Sequence, residues 1–275
     1  MKISEIIAKL QAFHPPIDES HTCDVVKYGD PEQECTGIVT TCFASADVIR
    51  ETARLGANFI ICHEPVFWTH EDETGWLAES EVFGEKKKLL DDSGIVIWRD
   101  HDHIHGGPPK NNPDYMDGIF YGIMKELGWE QYRVDYPNKP LLFDIPETSA
   151  EELGHFLIEK LHLNGVRIMG DRNTRVSRVF LCEHIRERDP QEQDKILAAE
   201  AKSIDALIPF ETVDWTLPAF VRDCAQLDHP KVMYNVGHFN FEELGMKYMA
   251  EWLPTLTGDI PVQHVFSGDA FDFIL

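Results

Sequence analysis

The chain has 275 residues, enough to bury a real core as one large domain or two modest ones. Its composition, 43% hydrophobic and 27% charged, is that of a globular protein. The formal net charge of −23 speaks against nucleic-acid binding, which needs clustered Lys and Arg. The one basic run, Lys86-Lys87-Lys88, sits among acidic residues that repel phosphate, so it reads as the solvated face of a helix. Such a chain favours cations.

The opening MKISEIIAKLQAFHPP places Ile3, Ile6, Ile7, Leu10 and Phe13 at helical spacing, while Glu5 and Lys9 interrupt any continuous apolar run. It predicts an amphipathic helix with Ser4 near its start, not a signal peptide. No apolar run is long enough to span a bilayer, so a soluble, cytoplasmic protein is expected. Short apolar runs then alternate with amphipathic stretches, the signature of an α/β fold. Strands are expected at Gly37–Cys42, Asn58–Cys62, Ile95–Trp98, Leu141–Asp144, Val179–Cys182, Ala206–Pro209, Val232–Val236 and Val262–Phe266. Helices are expected at Ser45–Leu55, Glu81–Leu90, Asp117–Leu127, Ala150–Leu161, Gln191–Lys202, Thr216–Cys224 and Glu242–Leu253. Six scattered cysteines form no CxxC pair, which argues against a disulfide scaffold or a zinc knuckle. Cys42, Cys62 and Cys182 fall in apolar strands and should be buried thiols.

The two halves repeat the same order of strand, helix, strand and acidic-aromatic loop. Without gaps, Glu51–Trp68 falls on Ala198–Trp215, which puts Glu64 on Glu211 and Trp68 on Trp215. Two similar α/β lobes follow: a first over residues 1–135 and a second over 136–275, joined near Tyr136–Lys139. The segment 237–253 is expected to return to the metal site of the first lobe.

Three strands end in ligand-type residues. NFIIC runs into His63-Glu64. GIVIW runs into Arg99-Asp100-His101-Asp102-His103-Ile104-His105, and KVMYNV into Gly237-His238-Phe239-Asn240-Phe241-Glu242-Glu243. In open α/β sheets ligands bind beyond the carboxyl ends of strands, so these clusters can point at one volume. Asn240 and Glu243 also read as a helix capping box. Imidazole with carboxylate suits Zn²⁺, Mn²⁺ or Fe²⁺, whereas calcium wants oxygen and structural zinc wants thiolates. A metallo-β-lactamase motif fails after His105, where Gly106-Gly107 follows. An amidohydrolase HxH at His101 and His103 comes too late in the chain.

At these residues the chain resembles the Nif-three-like dinuclear metal-centre family, some of whose members are called GTP cyclohydrolase I type two. The family's His-His-Pro appears as His63-Glu64-Pro65. Its Gly-Ile-x-Val-Tyr-x-x-His-Thr-Asn-Leu-Asp block matches GIVIWRDHDHIH without a gap, and its Gly-His-Tyr-x-x-Glu matches Gly237 to Glu242. One family histidine is Glu64 here and the family's metal-binding aspartate is His105. The two exchanges leave three histidines and two carboxylates. The second-lobe Thr-Gly-Asp block is missing, the stretch reading PFETVDW.

The resemblance implies two intertwined α/β/α lobes with mixed sheets, a homohexamer and two divalent ions. His63, His238 and Glu242 would serve one ion, and Glu64, His105 and Glu242 the other, while His101 orients a water or shuttles a proton. The function implied is a metal-dependent hydrolase acting on a small, nucleotide-like substrate. The alternative is a non-catalytic scaffold whose metals stabilise the oligomer, favoured by the missing block.

The paired exchange has its own test. If Glu64 and His105 serve one ion, Glu64→Ala and His105→Ala should cost bound metal non-additively, because either loss already empties the position. Metal analysis of both single variants and the double variant checks this. Additive losses would refute it.

Overall fold

The computed structural model describes residues 1–107, 116–134, 139–185 and 190–274. The expected lobe junction at Tyr136–Lys139 lies, up to residue 138, outside the described residues. In chain order the first half carries α1 (Ile3–Phe13), β1 (Val26–Tyr28), β2 (Ile38–Thr41), α2 (Ala46–Arg54), β3 (Phe59–Cys62), α3 (Glu81–Ser93), β4 (Val96–Arg99), α4 (Asp102–His105) and α5 (Gly118–Leu127). There follow β5 (Leu142–Ser149), α6 (Ala150–Leu161), β6 (Arg167–Met169), β7 (Arg175–Glu183), α7 (Pro190–Ala201), β8 (Ala206–Pro209) and α8 (Leu217–Gln226). The chain finishes with β9 (Val232–Asn235), α9 (His238–Trp252), α10 (Pro254–Thr257) and β10 (Val262–His264).

The chain forms two compact α/β units. Unit 1 comprises residues 1–123 with 242–267, and unit 2 comprises 124–241 with 268–275. Each is built from two separate stretches of chain, and each holds a five-stranded mixed sheet. In unit 1 the order is β1-β4-β3-β2-β10, with β10, β2, β3 and β4 parallel and β1 antiparallel at one edge. In unit 2 the order is β5-β7-β8-β9-β6, with β7, β8 and β9 parallel and an antiparallel strand at each edge. The central parallel strands β2, β3, β4 and β8 are buried along their whole length. That is why they read as continuous apolar runs and not as alternating ones.

The connections show how the chain makes these turns. Ser45 caps α2, its Oγ accepting from Val48 N at 3.2 Å, and the helix buries Val48, Ile49 and Thr52 against the sheet. Ser80 caps α3 in the same way. Gly94, at φ 63°, ends α3 in the left-handed conformation that glycine adopts without strain. Within unit 1, α5 and α9 approach backbone to backbone: a Cβ on Gly122 would lie 2.7 Å from Gly245 Cα. Any side chain at either position would force the helices apart.

The expected repeat is present as β2-α2-β3 in unit 1 and β7-α7-β8 in unit 2. The gap-free alignment sets Cys62 on Pro209, each the last residue of its strand. Glu64 and Glu211 therefore sit at equivalent positions, two residues past the strand end.

Three expectations need correction. Lys86 is not on a solvated face: it is buried, its Nζ donating to Val66 O at 2.6 Å and lying 4.8 Å over the Phe43 ring. Lys87 and Lys88 remain outside, paired one turn on with Asp91 and Asp92. The last long helix begins at His238, not Glu242, because Gly237 at φ 88° lets the chain leave β9 and turn at once into a helix. Asn240 therefore lies inside α9 and donates back to Val236 O at 2.9 Å, so it is no N-cap. The edge strands β1 and β6 and the short helix α4 carry too few residues for a periodic signal, and the sequence did not announce them.

All six cysteines are free thiols, and Cys42, Cys62 and Cys182 are wholly buried. Burial pushes the Cys62 and Cys182 thiols up to about 12, where little reactive thiolate forms. In the native protein a thiol reagent should leave these three unlabelled, and all should react once the chain is unfolded. Rapid labelling of the native form would refute the burial.

Candidate metal centre

The parallel pairing of β2, β3 and β4 brings their carboxyl ends to one edge of the unit 1 sheet, with Cys62 opposite both Thr41 and Arg99. His63 and Glu64 follow β3 directly, and Asp100 and His101 follow β4. His63 is wholly buried, and its Nδ1 donates to the Asp100 carbonyl at 3.0 Å. A carbonyl can only accept, so the Nδ1 proton is fixed and Nε2 is the nitrogen left for other chemistry. That Nε2 lies 3.4 Å from Glu242 Oε2, yet it has no hydrogen-bond partner among the described residues. The other two histidines are held alike. His101 Nδ1 lies 2.9 Å from Asp102 Oδ1, and His105 Nδ1 lies 2.7 Å from Asp117 Oδ2.

These three imidazoles converge. Ring centroids are 4.6 Å apart for His63 and His101, 5.0 Å for His63 and His105, and 4.9 Å for His101 and His105. One ligand atom from each falls within 4.8 Å of the others, and the same holds for His63, Glu64 and Glu242. His63 is common to both triads. The residues present therefore offer nitrogen and oxygen donors to a divalent cation, each imidazole being oriented through its far nitrogen as metal-binding histidines usually are.

The short helix α4 explains which histidines of the His101-His103-His105 run take part. Residues one turn apart share a helix face, so His101 and His105 meet while His103 points the other way. His103 is buried, with Nδ1 2.8 Å from Asp24 Oδ2 and Nε2 3.1 Å from Glu19 Oε1. Asp24 was absent from the sequence reading, yet it organises this end of the sheet. Its carboxylate accepts the backbone N–H of His101 at 2.8 Å, of Asp102 at 3.0 Å and of His103 at 2.7 Å. Asp117 was read only as a helix start. It both caps α5, accepting from Ile119 N and Phe120 N, and orients His105.

Glu243 is not half of a capping box. Its two oxygens accept from Cys42 N and Ser267 N, both at 2.9 Å, pinning α9 to the end of β2. Arg99, wholly buried, donates from Nε to His63 O at 2.9 Å and from Nη1 to His70 O at 2.6 Å. Its Nη2 lies 3.8 Å from Glu64 Oε2.

Burial pulls the His63 imidazole down, but the charges of Glu242 and Glu64 overcome it and raise it to about 9. Burial and the neighbouring His63 and His105 lower His101 to about 4. The pocket thus stabilises one positive charge at His63 Nε2, where a cation can replace the proton.

His238, expected among these ligands, lies at the start of α9 in unit 2. There its Nδ1 is 3.2 Å from Glu211 Oε2, while His184 Nδ1 is 2.8 Å from Glu211 Oε1. Burial pushes the Glu211 carboxyl up, but hydrogen bonds from the two histidines win and hold it at about 2. Sequence reasoning missed His184; the only signal was Glu211 falling on Glu64 in the repeat.

Asp24 gives a stability test. Hydrogen bonding to His103 and three backbone amides overcomes the cost of burial and holds its carboxyl well below the usual carboxylate range. A lowered folded value stabilises the protein above the unfolded value near pH 4, and the contribution is lost as pH falls toward the folded value. Asp24→Asn should cost about 3 kcal/mol at pH 7, the scale set by unmaking charge-assisted hydrogen bonds in the interior. The gap to the parent should narrow below about pH 4. Denaturant unfolding at both pH values checks this, and a gap independent of pH would refute it.

Comparison with known proteins places the fold. Residues 1–97 match the family Duf34/NIF3 (NGG1p interacting factor 3). No curated protein matches the chain. The structure is similar to that of Staphylococcus aureus hypothetical protein SA1388, with TM-score 0.69 at 17% identity, covering 100% of this chain and 99% of that one. It is similar to the Bacillus cereus protein related to NIF3, with TM-score 0.69 at 12% identity, covering 100% and 99%. Reduced HcgD from Methanocaldococcus jannaschii gives TM-score 0.60 at 18% identity, covering 98% of each chain. At such identities a likeness establishes the fold alone. Residues 1–97 are similar to the Duf34/NIF3 family, and nearly the whole length of the chain takes the fold of these structures.

Proposed function

We propose that the unit 1 cluster is a two-ion centre of a metal-dependent hydrolase acting on small substrates, nucleotide-like ones among them. The observation that carries this reading is the buried His63 Nε2, left without a hydrogen-bond partner among the described residues and facing Glu242. His63, Glu64 and Glu242 would hold one ion, and His105, with a carboxylate shared from the first set, would hold the second. An imidazole nitrogen serves one ion, so the two triads that share His63 supply two ions only if a carboxylate is shared. Zn²⁺, Mn²⁺ and Fe²⁺ all suit such donors.

A divalent ion held here supplies Lewis acidity and makes water nucleophilic near neutral pH. The chain's own residues do the rest. Asp102 and Asp117 fix the orientation of His101 and His105, and the Arg99 guanidinium stands beside Glu64. His101, held neutral near pH 7 and a quarter exposed, can accept a proton at Nε2 when not drawn in as a ligand. The net charge of −23 opposes long polyanions, while a small substrate can meet the ions directly.

Protein purified without added metal should contain a divalent ion, and His63→Ala or Glu242→Gln should lower its affinity at least tenfold. The parent should hydrolyse members of a panel of small phosphate esters, nucleotides and amides in proportion to its metal content. Metal that binds with no turnover across the panel would favour the scaffold reading; metal content untouched by either variant would refute the centre.

A further inference from the structure

Within unit 1, three buried electron-pair donors that the hydrolase reading does not use meet on the His103 side of α4. They are His14 Nε2 and the two carboxylate oxygens of Asp100, none with a hydrogen-bond partner among the described residues. Both side chains are enclosed, exposed to 1% for His14 and 0% for Asp100. Asp100 N donates to Cys62 O at 2.9 Å, which carries the strand pairing one residue past β4. Successive side chains of a strand leave on opposite faces, so Asp100 goes with Trp98, while Arg99 and His101 turn toward His63. His103 marks the Asp100 side, its ring 6.4 Å from that of Trp98 and 6.4 Å from that of His14.

His14 is where α1 ends. Its N–H donates to Leu10 O at 3.2 Å, and a ψ of 160° then takes the chain out of the helix into Pro15-Pro16. The ring stands edge-on to Phe13 and Trp252, with centroids 5.5 and 5.9 Å away. Its Nδ1 lies 2.7 Å from the Gly107 carbonyl and must donate to it, which leaves Nε2 facing Asp100 Oδ2 at 3.7 Å. An imidazole anchored through its far nitrogen to a carbonyl is oriented as metal-binding histidines are.

The separation of 3.7 Å selects what belongs between the two atoms. A charge-assisted hydrogen bond would draw them to about 2.8 Å. A bridging water, about 2.8 Å from each, would hold them about 4.4 Å apart. Two ligands about 2.1 Å from a tetrahedral zinc stand about 3.4 Å apart, the nearest of the three to what is found. Charge points the same way, because a buried carboxylate is either paired or coordinates a metal. Both nitrogens of His103 are engaged, one with Asp24 and one with Glu19, and give Asp100 no donor. A ligand atom of Asp24 lies within 4.8 Å of one of Asp100.

We propose that His14 Nε2 and the Asp100 carboxylate bind a Zn²⁺ ion, with Asp24 as a further oxygen donor. The site is structural. Enclosed from solvent, the ion enters as the chain folds and fastens the end of α1 to the end of β4, the strand end from which His101 departs.

The test refolds full-length protein with Zn²⁺, dialyses the native protein against a chelator, and measures the zinc that remains. One equivalent per chain should resist removal for hours in the parent and in His63→Ala. His14→Ala and Asp100→Asn, their folding checked by circular dichroism, should each lose it at least tenfold faster. Loss of the resistant equivalent in His63→Ala, or its retention in both other variants, would overturn the proposal. A crystal of the zinc-loaded parent decides the matter even where a variant fails to fold. Anomalous scattering at the zinc edge should give a peak about 2.1 Å from both His14 Nε2 and an Asp100 oxygen. Density there without anomalous signal, or none, would leave a water or a bare ion pair and overturn the site.

Discussion

The hydrogen bond from His63 Nδ1 to the Asp100 carbonyl joins the end of β3 to the end of β4, and the candidate centre depends on it. Because the acceptor is a carbonyl, it decides which nitrogen carries the proton, and therefore which one faces Glu242. The bond can exist only because β3 and β4 pair in parallel with Cys62 against Arg99, so the residues that follow both strands emerge together. A register slip of one residue would turn His63 to the other face of the sheet. The apolar packing of β2, β3 and β4 thus does more than stabilise the unit, since the ladder it fixes sets the direction of an imidazole.

Around that bond the interior holds acids that would be costly without partners. Asp24 meets three backbone amides and His103, and Glu243 meets two backbone amides from opposite ends of the chain sequence. Both are satisfied by structure. Glu242, one residue from Glu243, turns instead toward His63 Nε2. Neighbouring acids on one helix thereby divide the work, one fastening α9 and the other facing the imidazole.

The parts of this arrangement that follow from periodicity were legible in the sequence. The strands β2, β3 and β8 and the helix α6 were found within a residue or two of their ends, since long apolar or amphipathic runs admit few readings. The repeat of Glu64 and Glu211 was legible because equal spacing survives when residue identity does not. The supports were not legible. Asp24 lies far from His103 in sequence, and only the tertiary fold brings its carboxylate beneath α4. Lys86 looked like its two neighbours, yet a helix distributes three successive residues around its axis and one of them met the core. The capping-box pattern at Asn240 and Glu243 failed because Gly237 had already started the helix, one turn early.

Charge explains why a cation suits the unit 1 cluster and what competes with it. Glu64 and Glu242 bring two negative charges and Arg99 one positive, so a neutral His63 leaves the group one charge short of balance. The raised affinity of His63 for a proton, to about 9, is the local answer to that shortfall. A metal ion can only take the Nε2 position by displacing that proton, which makes binding and proton release the same event. Below about 9 the proton is the standing competitor, and acid strengthens its claim. The neutral His101 lies on the opposite side of this balance. Its value near 4 arises partly from the positive charge on its neighbours, so replacing a proton on His63 with an ion of higher charge presses His101 further toward the neutral, proton-accepting form.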